Sequence, residues 1–353
     1  MLEKVYKAFG VPGDPEEAVA FGSGLINHTW KIRKDGKFYV LQRINQQVFR
    51  EPGAIAFNIN LTARYLGEKY PGYLFVTPEQ SVDRQDIFHD QETGYFRMSP
   101  FVENSHTIDV VEEPGQAYEA SRQFGLFTKL LGGLDATQLR ITLPDFHNLS
   151  LRYEQFTSAL QSGNRERIAE SAGLIDAIIS RREIVETFGT ICGNPDFRIR
   201  ATHHDTKISN VLFDEDDRGL CVIDLDTLMP GYFISDFGDM MRTYLSPVSE
   251  EEKDFSRIRI RDEFFAAIVE GYLGELKDEL SQAEKDHVVY AGKFMIYMQS
   301  IRFLTDHLNN DIYYGAKYAG HNFIRAANQL ELLKRLEEKE EVLTKIVKDF
   351  VAL

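Results

Sequence analysis

The stretch His203-His204-Asp205-Thr206-Lys207-Ile208-Ser209-Asn210, with Val222-Ile223-Asp224-Leu225-Asp226 behind it, decides the reading of this chain. An aspartate, an asparagine five positions later and a second aspartate beyond a hairpin form the constellation that moves a phosphoryl group from ATP to a hydroxyl. The residues between them explain the spacing. Val211-Leu212-Phe213 is a short apolar strand, Glu215-Asp216-Asp217-Arg218-Gly219 a polar turn, and Leu220-Cys221-Val222-Ile223 a returning strand. A hairpin of that length sets Asp224 beside Asn210, so two oxygen ligands converge on one hard cation. Asp205, at the other end of the loop, is placed to accept a proton from an acceptor hydroxyl. The competing reading, a solvated loop closed by an acidic surface turn, leaves Asp224 and Asp226 unexplained at the end of an apolar strand.

Outward from this loop, the chain divides by pattern. Residues 2–9 read as an amphipathic helix closed by Gly10. Residues 18–45 are β-rich, with Lys34-Asp35-Gly36 as a hairpin turn between Thr29–Ile32 and Phe38–Leu41. A helix runs from about Pro52 to Tyr70, and strands follow near Ile87–His89 and Tyr95–Met98. Beyond Phe101-Val102-Glu103 the apolar spacing becomes helical, first from Glu113 to Leu131 and then over about 148–188, 251–275, 281–308 and 318–350. The expectation is an α+β, protein-kinase-like fold of two lobes. A small β-rich N-lobe (1–102) would bind nucleotide, and a larger, mostly helical C-lobe (103–353) would carry catalysis and the acceptor. The nucleotide lies between them, since pockets favour such junctions. Phe101, Val102 and Glu103 at the join would contact the purine.

The 353 residues carry a net charge of −15, which argues against a nucleic-acid partner. Two cysteines, Cys192 and Cys221, suit neither a zinc site nor a disulfide framework. No apolar run is long enough for a membrane span and no signal segment opens the chain, so the cytoplasm is the expected compartment.

On the phosphate side, Gly22-Ser23-Gly24 lies between two strands, where small residues let backbone approach phosphates. The third strand ends in Gln42 where protein kinases carry a phosphate-binding lysine, and the next helix offers Asn58 and Asn60 instead of a glutamate. Asp236-Phe237-Gly238 matches the kinase metal tripeptide literally. It falls beyond Met229-Pro230-Gly231, which is read as a chain break, and Asp224 already occupies the ligand position. Asp236 is therefore expected to cap a helix or bond the catalytic loop's backbone. Asp226, two residues past Asp224, faces the same side and is a further candidate ligand.

These blocks resemble the aminoglycoside phosphotransferase-like kinases nearly end to end. Within that family the pattern is most similar to the N-acetylhexosamine 1-kinases. The carriers are Phe21–Asn27, Tyr39–Asn45, Thr202–Lys207, Ile223–Thr227, Met229–Gly231 with Asp236–Asp239, and Arg302–Asp306 with Asp311–Tyr313. The resemblance implies ATP and Mg²⁺ as cofactors and a sugar acceptor phosphorylated at its anomeric hydroxyl. Asp205 would orient the hydroxyl, and Asn210 and Asp224 would hold the metal. Gln42 commonly stands at the lysine position in that subfamily. Arg302, Tyr313 and Asn27 would touch the sugar, although Arg302 has an alternative partner in Asp306 one helical turn on. Leu25 and Thr243 depart from the subfamily pattern, both on the acceptor side. Another hydroxyl acceptor (a different sugar, an amino alcohol, an aminoglycoside), a hydrolase using His203, His204 and Asp205 as metal ligands, and a nucleotide-binding pseudoenzyme are the competing functions.

Overall fold

The computed structural model describes residues 2–14, 17–22 and 26–352. An amphipathic helix, α1 (Leu2–Phe9), precedes an antiparallel five-stranded sheet. Its strands are β1 (Val19–Ala20), β2 (His28–Lys34), β3 (Lys37–Ile44), β4 (Phe88–Asp90) and β5 (Gly94–Pro100), in the order β1-β2-β3-β5-β4. Asp35 and Gly36 take positive φ, 50° and 80°, as a tight turn matched to strand twist requires. On one face of the sheet, Ile32, Leu41, Phe96 and Met98 close against Val5 and Phe9 of α1 as a small core of their own. The alternate residues of β3 and β5 face the other way, toward the helical region.

Helix α2 (Pro52–Lys69) starts with proline in its first turn, where no hydrogen-bonded N–H is lost. Its fully buried Asn58 donates to the carbonyls of Arg140 and Leu228, both at 2.8 Å, and accepts from Arg140 N. The asparagine that stands where a lysine's partner would be sought thus pins α2 to the C-terminal region.

That region begins with α3 (Pro114–Leu130), whose start carries a capping box between Glu113 and Gln116. Helices α4 (Leu149–Ser162), α5 (Arg165–Glu170), α6 (Ala172–Ile179) and α7 (Glu183–Gly193) follow. The single helix expected over 148–188 is broken because Gly163 lies against the carbonyls of Ala159 and Leu308, where a Cβ would sit 2.5 and 2.9 Å away. Asn164 then caps the new helix through Glu166 N and Arg167 N. Strand β6 (Arg200–Thr202) pairs with β9 (Met229–Gly231), and β7 (Val211–Phe213) pairs with β8 (Gly219–Val222). Met229-Pro230-Gly231 is therefore a strand and not a break. Pro230 is tolerated in a short two-stranded pairing that has no central strand.

Next come α8 (Phe233–Tyr244), α9 (Asp262–Ile268) with a wide π-turn over Val269–Leu273, α10 (Gly274–Leu276), α11 (Gln282–Asp286), α12 (Val288–Leu308), α13 (His321–Glu338) and α14 (Glu340–Val351). The helix expected from 251 starts only at Asp262, and the one expected over 318–350 is interrupted at Lys339, which turns to pair with Asp262 at 2.8 Å. Helices α8 and α12 are the centre of the large core, with Phe237, Met241, Phe294, Ile301 and Leu304 fully buried. Among the described residues, no helix is long and apolar enough to cross a membrane.

Candidate active site

The loop between β6 and β7 is held by buried carboxylates beneath it. Asp236, inside α8, accepts from His203 N at 3.2 Å and His204 N at 2.7 Å. Asp239, one turn on, accepts from Thr206 N at 2.9 Å. Thr206 Oγ1 donates to Asp236 O, Thr227 Oγ1 to His203 O, and the Tyr244 hydroxyl to Thr206 O, all between 2.6 and 2.7 Å. His204 sits at φ 66°, a left-handed conformation that costs energy in a non-glycine residue and persists because both flanking amides are fixed. Gly231 makes room for its ring: a Cβ there would lie 2.4 Å from His204 Nε2. Asp236 therefore bonds the catalytic loop's backbone, as the sequence predicts. Burial pushes its pKa up to about 7 in spite of the two amides.

Asp205 projects from this loop. Its carboxylate takes Lys207 Nζ at 2.9 Å and Asn210 Nδ2 at 3.1 Å. Burial raises its pKa, but Lys207, His203 and Asn210 outweigh that and hold it below the usual carboxylate range. It is an ionised acceptor at neutral pH. Asn210 also donates to the Asp205 carbonyl at 2.8 Å, so its amide nitrogen is committed to the loop. Its Oδ1 accepts no hydrogen bond from the described residues.

The hairpin closes as its pattern requires. Val211 pairs with Val222, and Ile223 N donates to Asn210 O at 2.9 Å, which brings Asp224 alongside Asn210. Asp224 has φ 59°, and its side chain opens to solvent without a hydrogen bond to the described residues. Although the residue reaches solvent on one side, the protein packed around its carboxylate, and then the nearby Asp226 and Asp205, push its pKa up to about 7 against the pull of Arg97 and Lys207. An unpartnered carboxylate and an unpartnered amide oxygen side by side suit a small hard cation that keeps its other positions for water and phosphate.

Asp226, the further candidate ligand, is placed differently from Asp224. Its Oδ1 forms an ion pair with Arg97 of β5, and its Oδ2 accepts from Asn27 Nδ2 at 2.8 Å. Both oxygens are engaged by protein donors, so it is not an open metal ligand. Asn27 is engaged at both ends, since its Oδ1 accepts from Asn45 N. Gln42 lies opposite Arg97 in the sheet and accepts from Arg97 Nε at 2.9 Å, while its own Nε2 donates to Thr29 at 3.3 Å.

At the join, Phe101 stacks edge-on with Phe21 and Phe38, and Lys31 Nζ lies 3.7 Å above the centre of its ring. Phe101 N is used by Phe38 O and Val102 O by Ser105, whereas Glu103 is exposed. Gly22 takes φ 84°. Ser23, Gly24 and the departure at Leu25 lie outside the described residues.

Where the sequence places the acceptor, Arg302 does not pair with Asp306. That carboxylate instead accepts from Tyr313 N, Tyr314 N and Asn322 Nδ2, at 2.7 to 3.1 Å, and so folds the loop after α12. The Arg302 guanidinium stands 5.6 Å from the Phe146 ring and 5.5 Å from the Tyr314 ring. Phe146 in turn neighbours His204, and the His147 ring lies 5.3 Å from it. Arg152, close enough for its charge to oppose that of Arg302, binds only carbonyls and the Gln155 amide. Neither arginine forms a salt bridge among the described residues, although the Asp145 carboxylate lies near enough to Arg152 to act on its charge. Tyr313 is 73% exposed, and the buried Tyr314 hydroxyl lacks a hydrogen bond. Thr243, the second departure, donates to Asp239 O within α8.

Residues 17–282 match the phosphotransferase enzyme family. The chain belongs to that family. It is an enzyme that transfers phosphate to hydroxyl groups. The fold agrees at the level of solved structures of this family's kind. The amicoumacin kinase hAmiN, in complex with AMP-PNP, Ca²⁺ and Ami, is 15% identical with a TM-score of 0.64, over 95% of this chain and 92% of that one. A microcompartment-associated aminopropanol kinase is 15% identical with a TM-score of 0.61, over 97% of each chain. A choline/ethanolamine kinase family protein from Mesorhizobium loti is 17% identical with a TM-score of 0.55, over 99% of each.

Lys207, which the motif itself does not single out, reaches Asp205 through its ammonium at 2.9 Å. Its signal was its place two residues after Asp205, on the same side of an extended loop. The two histidines are no metal pair. His203 Nε2 lies 3.0 Å from Ile223 O and His204 Nδ1 3.0 Å from Thr202 O, and burial lowers both pKa values, that of His204 to about 4. Neutral, buried and bonded to backbone, they build the loop.

Proposed function

We propose that this phosphotransferase is a small-molecule kinase that moves the γ-phosphoryl group of ATP to the anomeric hydroxyl of an N-acetylhexosamine. The observation that carries the reaction type is the convergence of Asp205, Asn210 and Asp224 at one end of one hairpin. Asn210 and Asp224 offer the free oxygens for a divalent cation such as Mg²⁺. When bound, the cation would neutralise phosphate charge as it builds.

The remaining steps belong to the chain. Asp205, ionised, accepts the hydrogen bond of the acceptor hydroxyl, aligns its oxygen with the phosphorus and takes its proton as the new O–P bond forms and the bond from phosphorus to the β,γ-bridging oxygen breaks, with ADP as the leaving group. Lys207, bridging to Asp205, supplies charge where the transferring oxygens lie. Transfer is direct and in line, with no phosphoenzyme, and most of the acceleration comes from positioning and electrostatics. Phe21, Phe38 and Phe101 provide an apolar wall for a purine. Asp226 and Asn27 serve by fixing the sheet to the metal segment, and Gln42 by positioning Arg97.

The acceptor class rests on Arg302 and Arg152. Two guanidinium groups in no salt bridge among the described residues add positive charge beside the ionised Asp205, which disfavours a cationic acceptor such as choline, aminopropanol or an aminoglycoside at that position. They suit ring hydroxyls and an acetamido carbonyl, with Phe146 and Tyr314 offering aromatic faces to the apolar side of a sugar. A panel of N-acetylhexosamines, neutral hexoses, amino alcohols and aminoglycosides, incubated with labelled ATP and divalent cation, tests this, with product NMR locating the phosphate. Phosphorylation at C1 of an N-acetylhexosamine is expected. Turnover confined to amino alcohols or aminoglycosides contradicts the acceptor reading.

A further inference from the structure

The third strand of this sheet has no lysine for the phosphates, and Gln42 in its place is neutral. Charge nonetheless reaches the same spot from the next strand. Gln42 and Arg97 are register partners across β3 and β5, so their side chains leave the same face of the sheet. Arg97 is only 6% exposed. It donates through Nε to Gln42 and through Nη1 to Asp226, two residues beyond the metal-side Asp224. Its Nη2 makes no hydrogen bond to the described residues.

Each partner has a definite effect. Gln42 orients the guanidinium plane by accepting from Nε, and Asp226 fixes its depth. Asn27 fixes Asp226, and Asn45 N fixes Asn27. A buried ion pair of this kind contributes little net stability, because desolvating two charges offsets their attraction. Stability alone therefore gives no reason for a cation here, whereas phosphate binding does. Arginine is also suited to the task, since its fork can keep two protein acceptors and still present donors to phosphate oxygens.

We propose that Arg97 is the phosphate-binding cation of this enzyme, doing from the neighbouring strand what a third-strand lysine does in protein kinases, with Gln42 as its positioning residue. The proposal rests on the kinase reading. It assigns Arg97 to the α- and β-phosphates on the sheet side of the site, and leaves the transferring group to Lys207 and the cation.

The test is nucleotide binding, measured by calorimetry and independent of turnover. Arg97→Gln combined with Asp226→Asn removes both charges of the pair and leaves no unpaired ion. This variant should bind adenosine within about twofold of the parent, and should lose tenfold or more in affinity for AMP-PNP and ADP. Adding Gln42→Lys should recover most of that loss by restoring charge from β3. Equal losses for adenosine and ADP, or no loss for either, would mean that the pair only ties elements together and would overturn the proposal. Failure of Gln42→Lys to recover binding would do the same.

A second measurement needs no variant. Without divalent cation, the parent should still prefer ADP to adenosine by tenfold or more, and loss of that preference overturns the proposal. A parent that binds no adenine nucleotide at all overturns the kinase reading, and this proposal with it.

Discussion

Adding one methyl group at Gly231 tests how tightly the catalytic loop is set. In Gly231→Ala the new Cβ would lie 2.4 Å from His204 Nε2, 2.7 Å from its Cε1 and 3.2 Å from Thr202 Cβ. Ordinary contact begins near 3.4 Å, so the ring must retreat by about 1 Å, and little lets it do so. Its Nδ1 is 3.0 Å from Thr202 O, its backbone N–H is held by Asp236 at 2.7 Å, and His147 packs against it at 5.3 Å between ring centres. Overpacking of this kind costs about 1–3 kcal/mol, a fall of about 1–4 °C in Tm for a chain of 353 residues. The larger effect is on function. Asp205 follows His204 directly, and a displacement near 1 Å can cost about a hundredfold in rate. We expect kcat to drop between about ten- and a hundredfold while KM for ATP changes little, because Gly231 touches neither Arg97, Gln42 nor Asp224. Gly53→Ala is the control: the same methyl, on α2, meets no atom within 4 Å, and should leave kcat unaltered and Tm equal or slightly higher. Steady-state kinetics and thermal melts of both variants decide the matter. Parental kcat and Tm in Gly231→Ala would refute the view that the loop is rigidly pre-set.

Asp205→Asn should keep nucleotide affinity and lose about 10²–10⁴ in kcat, and turnover equal to the parent would remove Asp205 from the mechanism. Arg302→Ala should raise the acceptor KM by about ten- to a hundredfold, the equivalent of roughly 1.5–3 kcal/mol for a charged hydrogen bond. KM for ATP should stay put, and an unchanged acceptor KM would exclude Arg302 from the pocket. The pH dependence follows from Asp224, whose pKa of about 7 means that a proton and a cation compete for it. At limiting divalent cation, activity should rise as pH increases through about 7, and added cation should move that limb to lower pH. A limb that ignores cation concentration would disconnect Asp224 from cation binding. Asp236, also near 7 in the folded state against an ordinary 3.8, retains a proton that the unfolded chain releases. Its contribution to stability is therefore present at low pH and lost as pH rises through about 7. Asp236→Asn should flatten that part of a stability–pH profile, and an unchanged slope would dissociate Asp236 from it.

Local chemistry made the hairpin of the active site legible. Two apolar strands around a polar turn have one sensible pairing, and that pairing puts Asp224 at Asn210. The Asp35-Gly36 turn and the proline-started α2 were readable for similar reasons, since their signals are short and intrinsic to the residues. Asp236 was readable by elimination, because the ligand position was already filled. Arg97 was not. Its place beside Gln42 depends on which β5 residue lies opposite, and register is set by pairing across more than fifty residues of chain. The partners of Asp226 were not readable for the same reason: its ion pair is with an arginine on another strand. Long helical periodicity concealed the break at Gly163, where the deciding contact is with the carbonyl of Leu308. The Arg302–Asp306 pairing failed because backbone amides of Tyr313 and Tyr314, not side chains, took the carboxylate.

The most direct test of the account is anomalous diffraction from crystals grown with Mn²⁺ and a non-hydrolysable ATP analogue. A peak is expected between Asn210 Oδ1 and the Asp224 carboxylate, at about 2.1 Å from each as hard six-coordinate cations require, with Asp226 still paired to Arg97. A cation bound elsewhere, or held by Asp226 or Asp236 in place of Asp224, would contradict it.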